Sequence, residues 1–154
     1  MYIPEKLLFL NEEDVLRLLT PADAIAAAED VFYHIGTGEV TVGKMVMMYA
    51  DTQRRNNFHS MPAILHHKGV SGAKWIDTSS APLPGYPFSH GNLVIVSDVR
   101  TGSPIALVGA TNITTMRTAG GHGVVQAKYL ANPNPQVLSV FGCGAQAKAG
   151  IRGF

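Results

Sequence analysis

The feature that most constrains the fold lies near the end of the chain, where residues 137–150 read VLSVFGCGAQAKAG. An apolar run leads into Gly142-Cys143-Gly144, and small, helix-forming residues follow. This order predicts a strand, a tight glycine turn and the start of a helix. Dinucleotide-binding βαβ units open in this way, because glycines let backbone N–H groups approach a pyrophosphate at the positive end of the helix. A plain strand-turn-helix connection would produce the same short motif.

The chain contains only the opening of such a unit. A complete βαβ unit takes about 30 residues, and the acidic residue that contacts the ribose comes about 20 positions after the turn. The chain ends at Phe154, before that position. NAD is therefore not distinguished from NADP, and we expect the chain to be the front half of a nicotinamide enzyme, cut inside its cofactor domain.

The net charge and the cysteine content limit which partners and which cellular compartment we expect for this protein. The formal net charge of +1 gives no electrostatic reason to expect nucleic acid or a membrane surface as a partner. Cys143 is the only cysteine, so no intrachain disulfide forms, as is usual in a reducing compartment. The sequence lacks a run of about 18 apolar residues. We therefore expect a cytoplasmic protein without a membrane segment.

Hydrophobic patterning predicts an α+β domain before the glycine turn. A strand over 6–10 is followed by two helices, with Asn11 and Thr20 as their N-caps. Short apolar runs between turn signals then predict a mostly antiparallel sheet; they span 44–50, 58–65, 70–77, 92–98 and 104–109. Residues 77–90 read as a long loop, 98–102 as a hairpin turn and 112–131 as a long helix. One apolar face of such a sheet would stay open, which suggests a subunit interface.

Several motifs, in order, resemble the ornithine cyclodeaminase/mu-crystallin family over most of the chain. They are FHSMPA (58–63), GAKW (72–75), SDVRTGSPIAL (97–107), TNITTMRTAG (111–120), KYLA (128–131) and VFGCGAQA (140–147). The resemblance implies a substrate-binding and dimerisation domain over 1–115. A linker helix and the truncated start of a Rossmann domain would follow over 116–154.

The resemblance also implies an activity. Family members are NAD(P)-dependent oxidoreductases of amino acids or imines, among them ornithine cyclodeaminases, alanine dehydrogenases and ketimine reductases. In ornithine cyclodeaminases a hydride leaves the substrate α-carbon for NAD⁺, and the distal amine attacks the imine. Ammonia is then lost, and the hydride returns to give proline. A homodimer that binds a small amino- or imino-acid carboxylate is the implied assembly.

Four residues match the substrate side of the family. Lys74 corresponds to the active-site lysine and Arg117 to the arginine that binds the substrate carboxylate, a task suited to its planar fork. Lys44 lies where relatives carry a third basic residue, and Met61 lies on the substrate-side strand. His59 stands where ornithine cyclodeaminases carry a glutamate for the distal amine, which counts against ornithine as substrate. Ser89 is a weaker match to a pocket threonine.

Five residues match family positions near the dinucleotide: Thr118, Gly142, Gly144, Ala145 and Gln146. The histidines show no metal-ligand spacing such as HExxH, so no metal site is predicted. The family's catalytic aspartate belongs to the part of the second domain after the glycine turn. We therefore expect NAD(H) or NADP(H) to serve the full-length parent, and these 154 residues to bind it poorly and to lack appreciable dehydrogenase activity.

Two other interpretations of the sequence stay open. The chain could be a short, non-catalytic module for dimerisation or small-carboxylate binding, or a degenerate remnant that folds poorly. The presence of both Lys74 and Arg117 favours the oxidoreductase. The residues do not choose among alanine, ornithine, cyclic imines and opines as substrates.

Overall fold

The structure, a computed structural model, describes residues 6–50, 57–78 and 91–154, and these contain seven strands and five α-helices. The strands are β1 (Leu8–Leu10), β2 (Val40–Val42), β3 (Val46–Tyr49), β4 (Asn57–Leu65), β5 (Val70–Asp77), β6 (Leu93–Asp98) and β7 (Pro104–Gly109). The helices are α1 (Glu12–Leu18), α2 (Pro21–Gly36), α3 (Thr111–Thr115), α4 (Val124–Leu130) and α5 (Ala145–Gly153). A π-helical segment, Met116–Gly123, joins α3 to α4, and a 3-10 turn, His66–Lys68, joins β4 to β5.

The first two helices begin where their caps were predicted. The side chains of Asn11 and Thr20 accept hydrogen bonds from the backbone N–H groups of Asp14 and Asp23. Both aspartates return a bond to the cap backbone, so each helix starts with a complete capping box. The second helix ends at Gly36, as the Gly-Thr-Gly sequence indicated.

All seven strands form one sheet in the order β1-β7-β6-β5-β4-β2, and β3 pairs with β4 beside β2. Every pairing among the described residues is antiparallel except that of β1 with β7, which is parallel. The sheet is therefore mixed, although mostly antiparallel as predicted. The short β2 was not predicted, because three residues are too few to show a pattern. The hairpin turn before β7 is present, with Gly102 N–H donating to the Asp98 carbonyl.

The two faces of the sheet differ. One face carries Lys74 and Ile76 of β5 and lies under the helices; Ile76 is buried there. Strand parity places Trp75 and Ile95 on the other face, where their exposed fractions are 42% and 43%. Val46 and Met48 of β3 extend this open apolar face, and their exposed fractions are 51% and 46%.

The predicted long helix runs from Thr111 to Leu130, but its middle is π-helical. Glycines permit close packing around this segment. A Cβ placed on Gly121 would lie 2.8 Å from the Ala24 carbonyl oxygen of α2, and one on Gly120 would lie 3.2 Å from the Ala149 carbonyl oxygen of α5. Helices α2 and α5 therefore both pack against the π-helical segment.

The strand predicted before the glycine turn is wrong: residues 137–141 form no strand. A strand needs a neighbour for its backbone hydrogen bonds, and none of the described strands pairs with this run. The helix after the turn is present as α5, so the βαβ opening is only partly formed. The predicted boundary between the two domains, after residue 115, stays a prediction. It falls where α3 passes into the π-helical segment.

No helix in the described ranges is both long and apolar enough to cross a membrane. Most of the predicted loop over 77–90, including Ser89, lies outside the residues that the structure describes, as does the stretch 51–56.

Candidate functional site

Lys74 lies in the middle of β5 and points toward the helices. Its Nζ donates a hydrogen bond of 3.3 Å to Oγ1 of Thr114 on α3. Burial, together with the nearby positive charge of Arg117, lowers the pKa of Lys74 to about 8. The ammonium is thus charged at neutral pH but loses its proton far more readily than a solvated lysine.

Arg117 lies in the π-helical segment, three residues after Thr114, so the two share one side of the helix. Its guanidinium is partly buried, and this burial lowers its pKa. No acidic side chain of the described residues forms an ion pair with Arg117 or Lys74. Two partly desolvated cations with no carboxylate partner in the described part of the chain form a site suited to a small anion.

Met61 and His59 of β4 lie on the same sheet face as Lys74. Met61 is the cross-strand partner of Lys74, and His59 is the partner of Ile76. His59 Nε2 is 2.6 Å from Asn57 Oδ1 and 3.3 Å from Thr78 Oγ1, so its ring is held by polar neighbours at the end of the strand. Met61 is therefore the closer of the two to the cationic pair along the sheet.

Lys44 does not contact the cationic pair of Lys74 and Arg117. It lies exposed in the connection between β2 and β3, and no hydrogen bond or ion pair within the described ranges links it to Lys74 or Arg117. Its assignment to the carboxylate site stays a prediction.

The glycine turn has features that fit a pyrophosphate. Gly142 has φ +90°, in the left-handed region that favours glycine, and a Cβ on Gly142 or Gly144 would meet no atom within 4 Å. Gly144 is the N-cap of α5, and no side chain caps the N–H groups of that helix. Ala145 and Gln146 form its first turn. A turn with open space around its glycines, followed by a helix start without a side-chain cap, is an arrangement that could accept an anion.

Thr118 does not face the turn with a free hydroxyl. Its Oγ1 donates to the Thr114 carbonyl oxygen at 2.7 Å, inside the helix. The hydroxyl is already used to stabilise the segment that carries Arg117, so a role at the dinucleotide would require that bond to be shared.

Three residues near the site were not singled out from the sequence. Thr114 could have been found, because it lies three residues before Arg117 in a predicted helix. Glu12 had no such signal: it is in α1, yet its carboxylate accepts bonds from the backbone N–H groups of Thr111 and Asn112, at 2.7 and 3.1 Å. His122 packs its ring 4.9 Å from that of Phe32, and burial and the charge of Arg117 lower its pKa.

The chain is similar to several known proteins in sequence and in fold. Alanine dehydrogenase from Archaeoglobus fulgidus is 33% identical over 141 residues, covering 91% of this chain and 42% of that protein. An archaeal alanine dehydrogenase dimer with bound NAD superposes with a TM-score of 0.83 at 32% identity, covering 96% of this chain and 46% of the other. The Δ1-pyrroline-2-carboxylate reductase of Thermococcus litoralis, in complex with NADH and L-proline, superposes with a TM-score of 0.80 at 26% identity, covering 94% of this chain and 44% of the other.

The chain thus spans less than half the length of these relatives. The sequence profile of one family matches residues 5–154, which includes every described residue of the site. The chain belongs to the ornithine cyclodeaminase/mu-crystallin family.

Proposed function

We propose that this chain supplies the substrate-binding part of an NAD(P)-dependent oxidoreductase that acts on a small amino or imino acid. The observation that carries the proposal is the pair of partly buried cations, Lys74 and Arg117, which lacks an acidic partner among the described residues. A substrate carboxylate between them would pair with both and reduce their combined charge from +2 to +1. Arg117 would bind it through two parallel N–H groups, and Lys74 would add a single charge-assisted bond.

The surroundings of the pair suit an amino or imino acid. Thr114 holds the Lys74 ammonium in place from the helix side, and Met61 offers an apolar contact from the neighbouring strand. A bound carboxylate would favour the charged form of Lys74 and so raise its pKa. His59 is a poor partner for the distal ammonium of a diamino acid, so the proposal favours substrates without one.

The residues of the glycine turn complete the proposal. Gly142, Gly144 and the first turn of α5 would hold the pyrophosphate of NAD(P), which supplies hydride acceptance or donation at the substrate α-carbon. This chain's residues bind and orient the substrate, and residues of a complete dinucleotide domain are needed for turnover. The names of the relatives, an alanine dehydrogenase with NAD and a reductase with NADH and L-proline, support the same class of reaction.

We also propose that the chain forms a homodimer through the open apolar face of the sheet. The exposure of Trp75, Ile95, Val46 and Met48 supports this. The archaeal alanine dehydrogenase that superposes on this chain is a dimer. A cytoplasmic location, which the single cysteine suits, belongs to the same proposal.

The carboxylate site can be tested by titrating the chain with L-proline and pyruvate, followed by calorimetry or NMR. Loss of a charge-assisted bond costs about 1.5–3 kcal/mol, so Arg117→Gln and Lys74→Met should each weaken binding by about 10- to 100-fold. Arg100→Gln is the matched control, because Arg100 is exposed and pairs with Asp98 away from the site. Equal binding by all variants, or no binding by the unmodified chain, would contradict the proposal.

A further inference from the structure

A second cluster of polar side chains lies at the C-terminal end of α2. Asp30 and His34 are one helical turn apart, and His67 reaches them from the 3-10 turn between β4 and β5. His67 Nε2 is 3.0 Å from Asp30 Oδ2, and His34 Nε2 is 3.6 Å from Asp30 Oδ1. One ligand atom from each of the three residues lies within 4.8 Å of the other two. Two imidazoles and a carboxylate thus meet at one point.

We propose that Asp30, His34 and His67 bind a divalent transition-metal ion of the zinc type. Zn²⁺ binds His nitrogen and Asp oxygen at about 2.0–2.2 Å in tetrahedral geometry, which puts neighbouring ligand atoms about 3.3–3.5 Å apart. The two nitrogen–oxygen separations of 3.0 and 3.6 Å fall on either side of that range. Each nitrogen lies near a different oxygen of the Asp30 carboxylate, and one ligand atom from each residue lies within 4.8 Å of the other two. Modest side-chain shifts would let the three residues surround one ion, with a fourth position left for water.

Glu39 prepares His34 for this role. Its Oε2 lies 2.8 Å from His34 Nδ1, so the proton belongs on Nδ1 and the Nε2 lone pair is left toward Asp30. A carboxylate behind a metal-binding histidine is the usual way in which proteins fix the tautomer and orientation of the ring. Glu39 also accepts a bond from Thr37 Oγ1 at 3.0 Å, which holds its carboxylate in place.

The His67 ring is mostly buried and makes its polar contact through Nε2; its Nδ1 is buried without a hydrogen-bond partner among the described residues. The rings of His34 and His67 stack, with centroids 3.7 Å and planes 12° apart. Both Nε2 atoms consequently face the same carboxylate. When an ion binds, the proton of His67 would pass from Nε2 to Nδ1, and a modest rotation of the two side chains would turn both Nε2 lone pairs toward the ion.

Lys68 is the competing cation. Its Nζ lies 3.1 Å from Asp30 Oδ2, and about half of its side chain is exposed. The ammonium can move into solvent when a divalent ion takes the carboxylate, since such exposed ion pairs are weak. Lys68 should therefore reduce the affinity for the ion without abolishing binding.

The cluster is separate from the cationic pair. It joins the end of α2 to the turn that begins β5, the strand that carries Lys74. A bound ion would stabilise this junction directly, because the ion binds the folded arrangement and not the unfolded chain. Residue spacing did not indicate this cluster, because Asp30 and His67 are 37 residues apart and the histidines show no HExxH-type spacing.

The test is a titration of tag-free, chelator-treated chain with Zn²⁺ by calorimetry, and with Co²⁺ by visible absorption. We expect one ion per chain and a rise in the melting temperature with Zn²⁺. His34→Gln and His67→Gln should each weaken Zn²⁺ binding at least tenfold, whereas Lys68→Gln should tighten it several-fold. His66→Gln is the matched control, because His66 lies on the same turn but bonds Thr41 instead of Asp30.

Three results would overturn the proposal: no Zn²⁺ binding by the unmodified chain, unchanged binding after both His34→Gln and His67→Gln, or equal loss in His66→Gln. Circular dichroism of each variant shows whether it has folded. If His67→Gln does not fold, the proposal is judged by the weaker binding of His34→Gln and the tighter binding of Lys68→Gln. Both of those side chains are more exposed than His67, so their replacement disturbs the fold less.

Discussion

Lys74 illustrates how a single residue can cost stability and yet serve a site. Its pKa of about 8 means that the folded protein holds the charged form less readily than the unfolded chain does. At neutral pH the side chain is still protonated, so the fold carries an incompletely solvated cation beside Arg117. A substrate carboxylate would remove part of this electrostatic cost, so its binding would be more favourable.

Because burial disfavours this ammonium, Lys74→Met should stabilise the chain at pH 7, on the order of 1 kcal/mol, while it weakens carboxylate binding about 10- to 100-fold. The unfolded chain binds more protons than the folded one between about pH 8 and the ordinary lysine value of 10.5, so wild-type stability rises across that window. The advantage of methionine should therefore shrink from pH 7 to pH 10. Urea unfolding at the two pH values measures it.

Lys148→Met is the control for that experiment, because Lys148 is exposed on α5. Lys148→Met should not give the stabilisation at pH 7 that we expect of Lys74→Met. A Lys74→Met chain that is less stable than wild type at pH 7, or whose difference is flat with pH, would show that burial does not strain the ammonium.

At the scale of elements, the site depends on how α3 is held at its start. Helix α3 has no side-chain cap of its own, and the Glu12 carboxylate of α1 accepts its first N–H groups instead. The Asn112 side chain adds a third bond at 2.7 Å. An anion at a helix start also interacts well with the helix dipole. Glu12 thereby fixes the helix that presents Thr114 to Lys74.

Glu12→Gln should lower the free energy of unfolding by about 1–2 kcal/mol at pH 7, because the bonds to a charged acceptor are weakened. Glu13→Gln, on the exposed side of the same helix turn, should have little effect. Although partial burial opposes it, hydrogen bonds from Thr111 and Asn112 lower the pKa of Glu12 below 4.5. The stabilisation is thus present above pH 4.5 and lost as pH falls through the lowered value. Equal effects of the two variants at pH 7 would contradict this role.

The elements predicted well from the sequence are those whose formation depends on residues close together in the chain. Asn11 and Thr20 cap their helices through neighbours three residues away, and β5 has the bounds of its apolar run. What failed depends on distant partners. A strand at 137–141 requires another strand beside it, and the bond of Glu12 to Thr111 spans 99 residues. The meeting of His34 with His67 likewise follows from the packing of α2 on the β4–β5 turn, which no local pattern encodes.

For the whole molecule, the open sheet face is the dominant surface feature. It combines Trp75 and Ile95 with Val46 and Met48 on one side of the sheet, and Phe58 stacks on Trp75 at 5.7 Å. Contiguous apolar surface of this kind is uncommon on monomers. It lies opposite the face that bears Lys74, so pairing through it would leave the carboxylate site accessible from the helix side.

Ile95→Glu should shift the chain from dimer to monomer, weakening association at least tenfold, because a charge would be placed in the centre of an apolar interface. Light scattering coupled to size-exclusion chromatography measures the change. Leu130→Glu provides the control, since Leu130 is 81% exposed but lies on α4, away from the sheet. A monomeric wild-type chain would contradict the proposed dimer. Equal dissociation by both variants would show that the open sheet face is not the specific subunit contact.

The π-helical segment determines which side of α4 faces the rest of the protein. A π-helix takes more residues per turn than an α-helix, so the eight residues Met116–Gly123 delay the winding of everything after them. Val125 is the buried residue of α4, so the winding before it helps to decide which residue of α4 faces inward. Removing one residue here would shorten the helix and also rotate α4 by about 100° about its own axis, which would turn Val125 away from its buried position. The number of residues in this stretch therefore sets the rotation of α4, and we expect a one-residue insertion or deletion here to destabilise the packing of α4.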